Sequence, residues 1–308
     1  MENKTTLKQG DNTMKLLGIV LENNLVAETS PDGTELIKGN LVVSTGDNQE
    51  HTVKAYSKKF TTAGNVNPSY TSLSVALGYV SIASLLQQGM TLEQANGQAT
   101  VILIKKGEVR LNTYLNPKKI VVAYPELFFS FIETATVSPD KYVAEFELEG
   151  VLENMKPEFD KDSVETGRYI IDLIYINYKG EAQPFSLMST PEAGAYMSTH
   201  YAKNLTTKIW GTLISTVTKI SQTTEGFAND KVKEFERTEK EMVICSGAVE
   251  QKNEENGGYS IPLIQKAMAE RKLYIDSLVS SGGNKPSNNN FTAPAQQING
   301  APKAPKSW

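Results

Sequence analysis

Apolar residues along this chain recur in runs of strand length, separated by turns rich in glycine, asparagine and lysine, with few stretches at helical spacing between them. Residues 14–26 are apolar-rich around Gly18. Residues 35–44 and 50–56 follow, parted by the turn-like Thr45-Gly46-Asp47-Asn48, and the three runs predict a meander. Residues 70–88 carry Leu73, Ala76, Leu77, Val80 and Leu85 at helical spacing and predict a helix that stops at Gly89, weakened inside by Gly78. Residues 99–105 and 108–115 flank Lys106-Gly107, a pair suited to a tight hairpin. Residues 120–123 add a further strand, which Pro125 should end.

A second region repeats this order. Residues 142–156, 168–178 and 183–188 read as strands, the last two split by Lys179-Gly180. Residues 190–204 predict a helix with Thr190 as N-cap, Pro191 at the first position and Glu192 in the first turn. Residues 207–220 and 239–251 supply two more strands, joined by a long polar connection that holds Gly226 and several charges. There is also a faint internal echo: Leu16-Leu-Gly18-Ile-Val-Leu-Glu-Asn23 beside Phe146-Glu-Leu-Glu-Gly150-Val-Leu-Glu-Asn154.

Three strands, a helix and two strands, occurring twice, is the element order of the five-stranded OB barrel, whose bent first strand suits an internal glycine. The expectation is therefore a mainly β chain with inserted helices, built as two tandem OB-like five-stranded barrels. The same short strands also permit a pair of β-sandwiches or another small barrel. The expected division is a flexible N-terminus at residues 1–13, a first domain at 14–137 and a second at 138–257. Residues 258–280 should hold a C-terminal helix, with Ile264, Ala267, Met268, Leu273 and Leu278 on one stripe, and residues 281–308 a disordered tail.

Composition narrows the function classes. At 308 residues, 39% hydrophobic and 21% charged, the chain has globular composition and enough length for two domains. No apolar run approaches the roughly 20 residues of a membrane-spanning helix, and the polar N-terminus lacks the features of a secretory signal, so a cytoplasmic protein is expected. The net charge of −4 is unevenly spread: residues 1–137 hold 12 basic and 12 acidic side chains, residues 138–280 hold 16 and 23, and residues 281–308 hold 3 and none. A polyanion would have to be held by a local stripe rather than a basic surface, and the first region is the better placed to carry it.

No catalytic centre emerges, and no cofactor is expected. The lone Cys245, between apolar neighbours, excludes an intramolecular disulfide or thiolate zinc site and reads as a buried strand residue. His51 and His200 fall in different regions with no nucleophile-elbow motif, and read as strand-surface and helix-surface residues. Phosphate-cradling glycine loops are absent. Glu145, Glu147 and Glu149 alternate onto one strand face, where a divalent cation or plain solvation would suit them. Residues 230–241 read as a charged, exposed connection.

The best functional signal is basic and aromatic residues interleaved at period two. Lys54, Tyr56 and Lys58 share a face opposite Val53 and Ala55, and Arg110, Asn112 and Tyr114 share a face opposite Val109 and Leu111. Lys105, Lys106, Lys118 and Lys119 flank the latter. The second region offers Arg168, Tyr178 and Lys179, and the pair Lys208 and Trp210. Cations that track phosphates beside rings that stack on exposed bases form the chemistry of single-strand binding. Tyr and Lys are also ordinary on half-exposed strands, and Trp210 would suit a core.

The repeated plan, the two basic-aromatic faces and the polar C-terminal tail resemble the single-stranded DNA-binding proteins of bacteriophages and mobile elements built on OB folds. That resemblance implies binding of replication or recombination intermediates, without chemistry and without a cofactor. The tail departs from the acidic tip typical of bacterial single-strand binders, because it ends Ala301-Pro-Lys-Ala-Pro-Lys-Ser-Trp308, with Trp308 as a candidate docking residue for a protein partner. A homo-oligomer is compatible with the sequence. The alternative reading is a structural or adaptor component, such as a phage virion or assembly protein, whose β domains meet other proteins.

Overall fold

The computed structural model describes residues 7–224 and 231–280, with the side chains of 223–232 left aside. Its strands are β1 (Asn12–Asn23), β2 (Val26–Thr29), β3 (Glu35–Gly46), β4 (Gln49–Lys58), β5 (Val101–Leu115), β6 (Val121–Phe129), β7 (Glu133–Thr134), β8 (Val143–Phe159), β9 (Glu165–Ile176), β10 (Ala182–Ser189), β11 (Thr206–Thr224) and β12 (Lys231–Gly247). The helices are α1 (Pro68–Ala76), α2 (Ile82–Gln87), α3 (Leu92–Gln98), α4 (Pro191–His200) and α5 (Ile261–Ser280). The chain is mainly β, as its apolar periodicity implies.

Strand pairing closes two rings. In the first, β1 pairs β3, β3 pairs β4, β4 runs parallel to β6, β6 pairs β5, and β5 returns to β1. In the second, β8 pairs β9, β9 pairs β10, β10 runs parallel to β12, β12 pairs β11, and β11 returns to β8. Each ring therefore has one parallel contact, between its third and fifth strands, with helices inserted after the third. This is OB-barrel connectivity, twice.

The rings are joined through their first strands. Residues 12–17 of β1 pair antiparallel with residues 143–148 of β8, and each strand then turns into its own barrel. Gly18 and Gly150 mark the two diversions. A Cβ at Gly18 would sit 2.2 Å from the Ser44 carbonyl oxygen, and one at Gly150 would sit 2.6 Å from that of Ile174. Only glycine lets the second strand of each barrel approach this closely, which gives the sequence echo a physical basis. The buried cluster is continuous across the junction, running from Met14, Ile37 and Ile104 to Phe146, Leu152 and Leu173.

Several elements differ from expectation. The single helix expected over residues 70–88 is two short ones, capped by Asn67 and Ser81 and ending before Gly89 as expected, with Asn23 bonding the Ala76 and Tyr79 carbonyls at the break; a further helix, α3, starts beyond it at the Thr91 cap. Lys106-Gly107 is no hairpin but the middle of β5. Gly107 is buried and has to be glycine, since a Cβ there would meet Met14 Cε at 2.1 Å, and the register shift opposite Met14 and Leu16 turns both Lys105 and Lys106 outward. Pro125 continues β6, paired with Leu111. The Leu111 N–H points instead to Gln183 Oε1 at 3.4 Å, and the ladder to β4 begins only at Leu127, so the missing proline N–H breaks no bond.

The supposed charged connection at residues 230–241 is mostly strand. Residues 231–246 of β12 pair with residues 210–224 of β11, forming a long two-stranded arm. Its described side chains at residues 218–222 and 233–240 are exposed or half-buried on both faces, so no apolar alternation announces it. The first expected strand ends at Asn23 and yields to the separate β2. β1 also begins at Asn12, inside the segment expected to be flexible, because the Asn12 amide exchanges hydrogen bonds with the Val109 backbone at 2.7 and 2.9 Å. The tail at 281–308, and with it Trp308, lies outside the described residues.

Both lone titratable candidates change place. Cys245 is exposed on β12, where it is the residue left unpaired by the register shift between Ile244 and Ser246. His51 is only 2% exposed, its Nε2 3.1 Å from Thr45 Oγ1. Desolvation, and then the nearby Lys240 charge, pull its pKa down to about 4. A buried imidazole with a depressed pKa takes up its proton on unfolding, so stability is complete above the unfolded value of 6.5 and falls as pH drops towards 4. His51→Gln should abolish about 3 kcal/mol of that acid sensitivity, measured by urea unfolding at pH 7.5 and pH 4.5 against the parent. His200 lies on the surface as expected, at the end of α4, stacked on Tyr196 at 4.2 Å. No helix among the described residues is long and apolar enough to cross a membrane.

Candidate nucleic-acid interface

On β4, His51, Val53, Ala55 and Ser57 face the barrel interior, which leaves Lys54, Tyr56 and Lys58 outside. The parallel ladder sets Lys54 beside Phe128 of β6, and the antiparallel β6–β5 ladder sets Glu126 opposite Arg110, Tyr124 opposite Asn112 and Val122 opposite Tyr114. Lys38 and Asn40 of β3 stand opposite Tyr56 and Lys54. The result is one outer face across β3, β4, β6 and β5 that carries four rings: Tyr56, Phe128, Tyr124 and Tyr114.

This face is tied together by its own side chains. Glu126 is the centre: its Oε1 accepts from Lys54 Nζ at 2.6 Å, Tyr124 Oη at 2.6 Å and Asn112 Nδ2 at 3.0 Å. Burial raises the Glu126 pKa, but these three hydrogen bonds outweigh it and hold the carboxyl below its usual range, so it stays ionised at neutral pH. Tyr114 meets Tyr124 edge-on, with centroids 5.9 Å apart. The Arg110 guanidinium lies over the Phe128 ring at 4.2 Å and also pairs with Glu108. Tyr56 remains 51% exposed and Lys58 is exposed. Among the described residues, Lys58 and Lys106 have no carboxylate at ion-pair distance.

Of the sequence-selected residues, Lys54, Tyr56, Lys58, Arg110 and Tyr114 thus share a surface. Tyr178, on the turn after β9 and 70% exposed, joins its edge, since it and Arg110 line one small cleft of about 40 Å³. Lys105 stands at the β5 bulge, paired with Glu133 at 2.5 Å.

The other three lie elsewhere. Arg168 donates to Glu241 at 2.8 Å and stands 3.6 Å from Glu158, bracing β9 against β12. Lys208 is clasped between Glu147 at 2.6 Å and Asp11 at 3.0 Å, which push its pKa up. Trp210, 40% exposed, pairs with Glu147 in the β11–β8 ladder and so stands on the acidic face of Glu145, Glu147 and Glu149. Lysines pair with two of those glutamates, Lys15 with Glu145 at 3.1 Å and Lys208 with Glu147, and with Asp11 and Glu149 beside them the face keeps an acidic excess. Among the described residues, no group of three or more His, Cys, Asp or Glu is placed to hold a metal.

The residues missed from sequence are Tyr124, Glu126 and Phe128. They stand at period-two spacing, which a strand ending at Pro125 does not include.

Comparison with known proteins gives a family match and distant likenesses. A family model described as YorF matches residues 11–281. No curated protein matches the chain. Among solved structures, the wild-type single-stranded DNA binding protein from Thermus aquaticus is similar at 11% identity and a TM-score of 0.45, over 80% of this chain and 95% of that one. A deletion mutant of the same protein gives 12% and 0.46, over 80% and 97%. A replication protein A heterotrimer bound to ssDNA gives 11% and 0.18, over 95% of this chain and 58% of that one. Likenesses this distant carry no functional inference.

Proposed function

The chain belongs to the YorF family over both barrels and α5, and from that premise we propose that the two barrels act as one unit, a sequence-tolerant binder of single-stranded DNA. The observation that carries this reading is the outer face of β4, β6 and β5. There Tyr56, Phe128, Tyr124 and Tyr114 offer ring surfaces at strand spacing, with Lys54, Lys58 and Arg110 between them. Rings spaced along a strand stack on successive unpaired bases, and the interleaved cations meet the phosphates. A duplex hides the base faces, so the same surface discriminates against it.

Lys54 and Arg110 are held by Glu126 and Glu108 in the free protein. A phosphate exchanges for a carboxylate at each, which keeps the cations ordered before binding. Lys58 and Lys106 supply charge directly. The acidic row on β8 lies on a different surface and steers the strand away from it.

The test is fluorescence anisotropy of a labelled single strand titrated with the full chain at several salt concentrations, beside a duplex of the same sequence. Binding to the single strand that weakens steeply with salt, with far weaker duplex binding, supports the reading. Absence of single-strand binding at low salt rejects it.

A further inference from the structure

Beside this face, the two barrels line a half-open cavity of about 240 Å³. Its walls come from β4 and β6 of the first barrel and from β11 and β12 of the second. Apolar surface is supplied by Tyr124, Leu127, Leu213 and Met242, while Lys54, Glu126, Lys240 and Glu241 contribute alternating charges. Apolar walls with a few polar groups at the rim suit a flat heterocycle, greasy on its faces and polar at its edge.

The site is built rather than accidental. Gln49 clamps β4 to β11, its Oε1 accepting from the Ser215 N–H at 3.0 Å and its Nε2 donating to Thr216 Oγ1 at 2.8 Å. Arg168, donating to Glu241 at 2.8 Å, fixes that carboxylate at the opposite wall, so this residue of the second barrel serves as a positioning group here. Among the described residues, all three donors to Glu126 converge on Oε1, which leaves Oε2 to accept from a ligand. Ser215, also in the wall and 3% exposed, has a hydroxyl with no hydrogen-bond partner among the described residues.

We propose that this cavity receives one base of the bound single strand and favours bases with an exocyclic amino group, cytosine above thymine. The inference rests on the single-strand reading above. A carboxylate only accepts hydrogen bonds, so it pairs with the N4 amino group of cytosine while a lysine donates to the neighbouring ring acceptor. Thymine presents its single N–H between two carbonyl oxygens, which repel the carboxylate. The protein is then tolerant along most of the strand and selective at one position.

The experiment compares labelled dC15 and dT15 at pH 8, as the ratio of their affinities, so that any inactive fraction of a variant cancels. The parent should bind dC15 at least about fivefold tighter. Glu126→Gln, whose amide both donates and accepts, and Ile214→Trp, which fills the cavity from β11, should each bring the ratio near one. Equal binding of both strands by the parent overturns the base-selection inference and leaves single-strand binding standing. A preference that survives in either variant overturns the assignment to this cavity. Failure of the parent to bind either strand overturns the function itself.

Discussion

Replacing Gly18 by valine should cost about 3 kcal/mol or more of folding free energy, read by urea or thermal unfolding. The obstacle is backbone: the new Cβ would lie 2.2 Å from the Ser44 carbonyl oxygen, with the Val43 side chain at 2.9 Å on the same side. A flexible side chain could swing away, but a paired strand cannot. Gly18 is where β1 leaves β8 and enters the β3 ladder, so relieving the clash would pull open the first barrel at its joint with the second. Gly97→Ala is the matched control. That glycine lies in α3 with nothing within 4 Å of the added Cβ, and the exchange should be neutral or stabilise by up to about 1 kcal/mol.

The second large effect concerns binding. Tyr56→Ala should weaken single-strand binding by about 1–3 kcal/mol while leaving the salt slope unchanged, because a stacked ring releases no counterions. Lys58→Ala should do the reverse in kind, lowering the slope by about 0.7 for the one phosphate lost. Trp210→Ala should change neither by much, although its ring is the larger. Trp210 stands opposite Glu147 on an acidic face, where a phosphate chain is repelled. The same anisotropy series measures all three variants, and a Trp210 effect exceeding that of Tyr56 would move the binding surface to the second barrel.

The sequence made the barrels legible because interior strand positions alternate with solvated ones, and each barrel needs a glycine where its first strand bends. Periodicity on β4 was enough to place Lys54, Tyr56 and Lys58 on one outer face. It failed where local residue meaning and tertiary context diverge. Gly107 has turn composition but is demanded by Met14 packing across the barrel. Pro125 is a strand breaker in general, yet tolerable where its nitrogen points away from any partner strand. Ending the strand there keeps only the first residues of β6, the middle strand of the candidate face, and loses Tyr124, Glu126 and Phe128.

The second barrel's residues show a different limit. Arg168, Lys208 and Trp210 have the right chemistry on the right kind of element. Which surface they join depends on long-range pairings that bring acidic partners from far along the chain: β1–β8 and β8–β11 set Asp11 and Glu147 beside Lys208, and β9–β10 with β10–β12 set Glu241 beside Arg168. Net charge pointed in the same direction, since the second region carries the acidic excess. The arm of β11 and β12 was hidden for a simpler reason: a ribbon wet on both faces has no hydrophobic pattern to read.

The measurement that tests the central claim most directly is photo-cross-linking of a 5-iododeoxyuridine-substituted single strand to the full chain, with the attached residues located by mass spectrometry. Cross-links concentrated on Tyr56, Tyr114, Tyr124 and Phe128 are predicted, since these rings would stack on the substituted bases. Cross-links confined to Trp210 or to the arm of β11 and β12, with none on β4, β5 or β6, would contradict it.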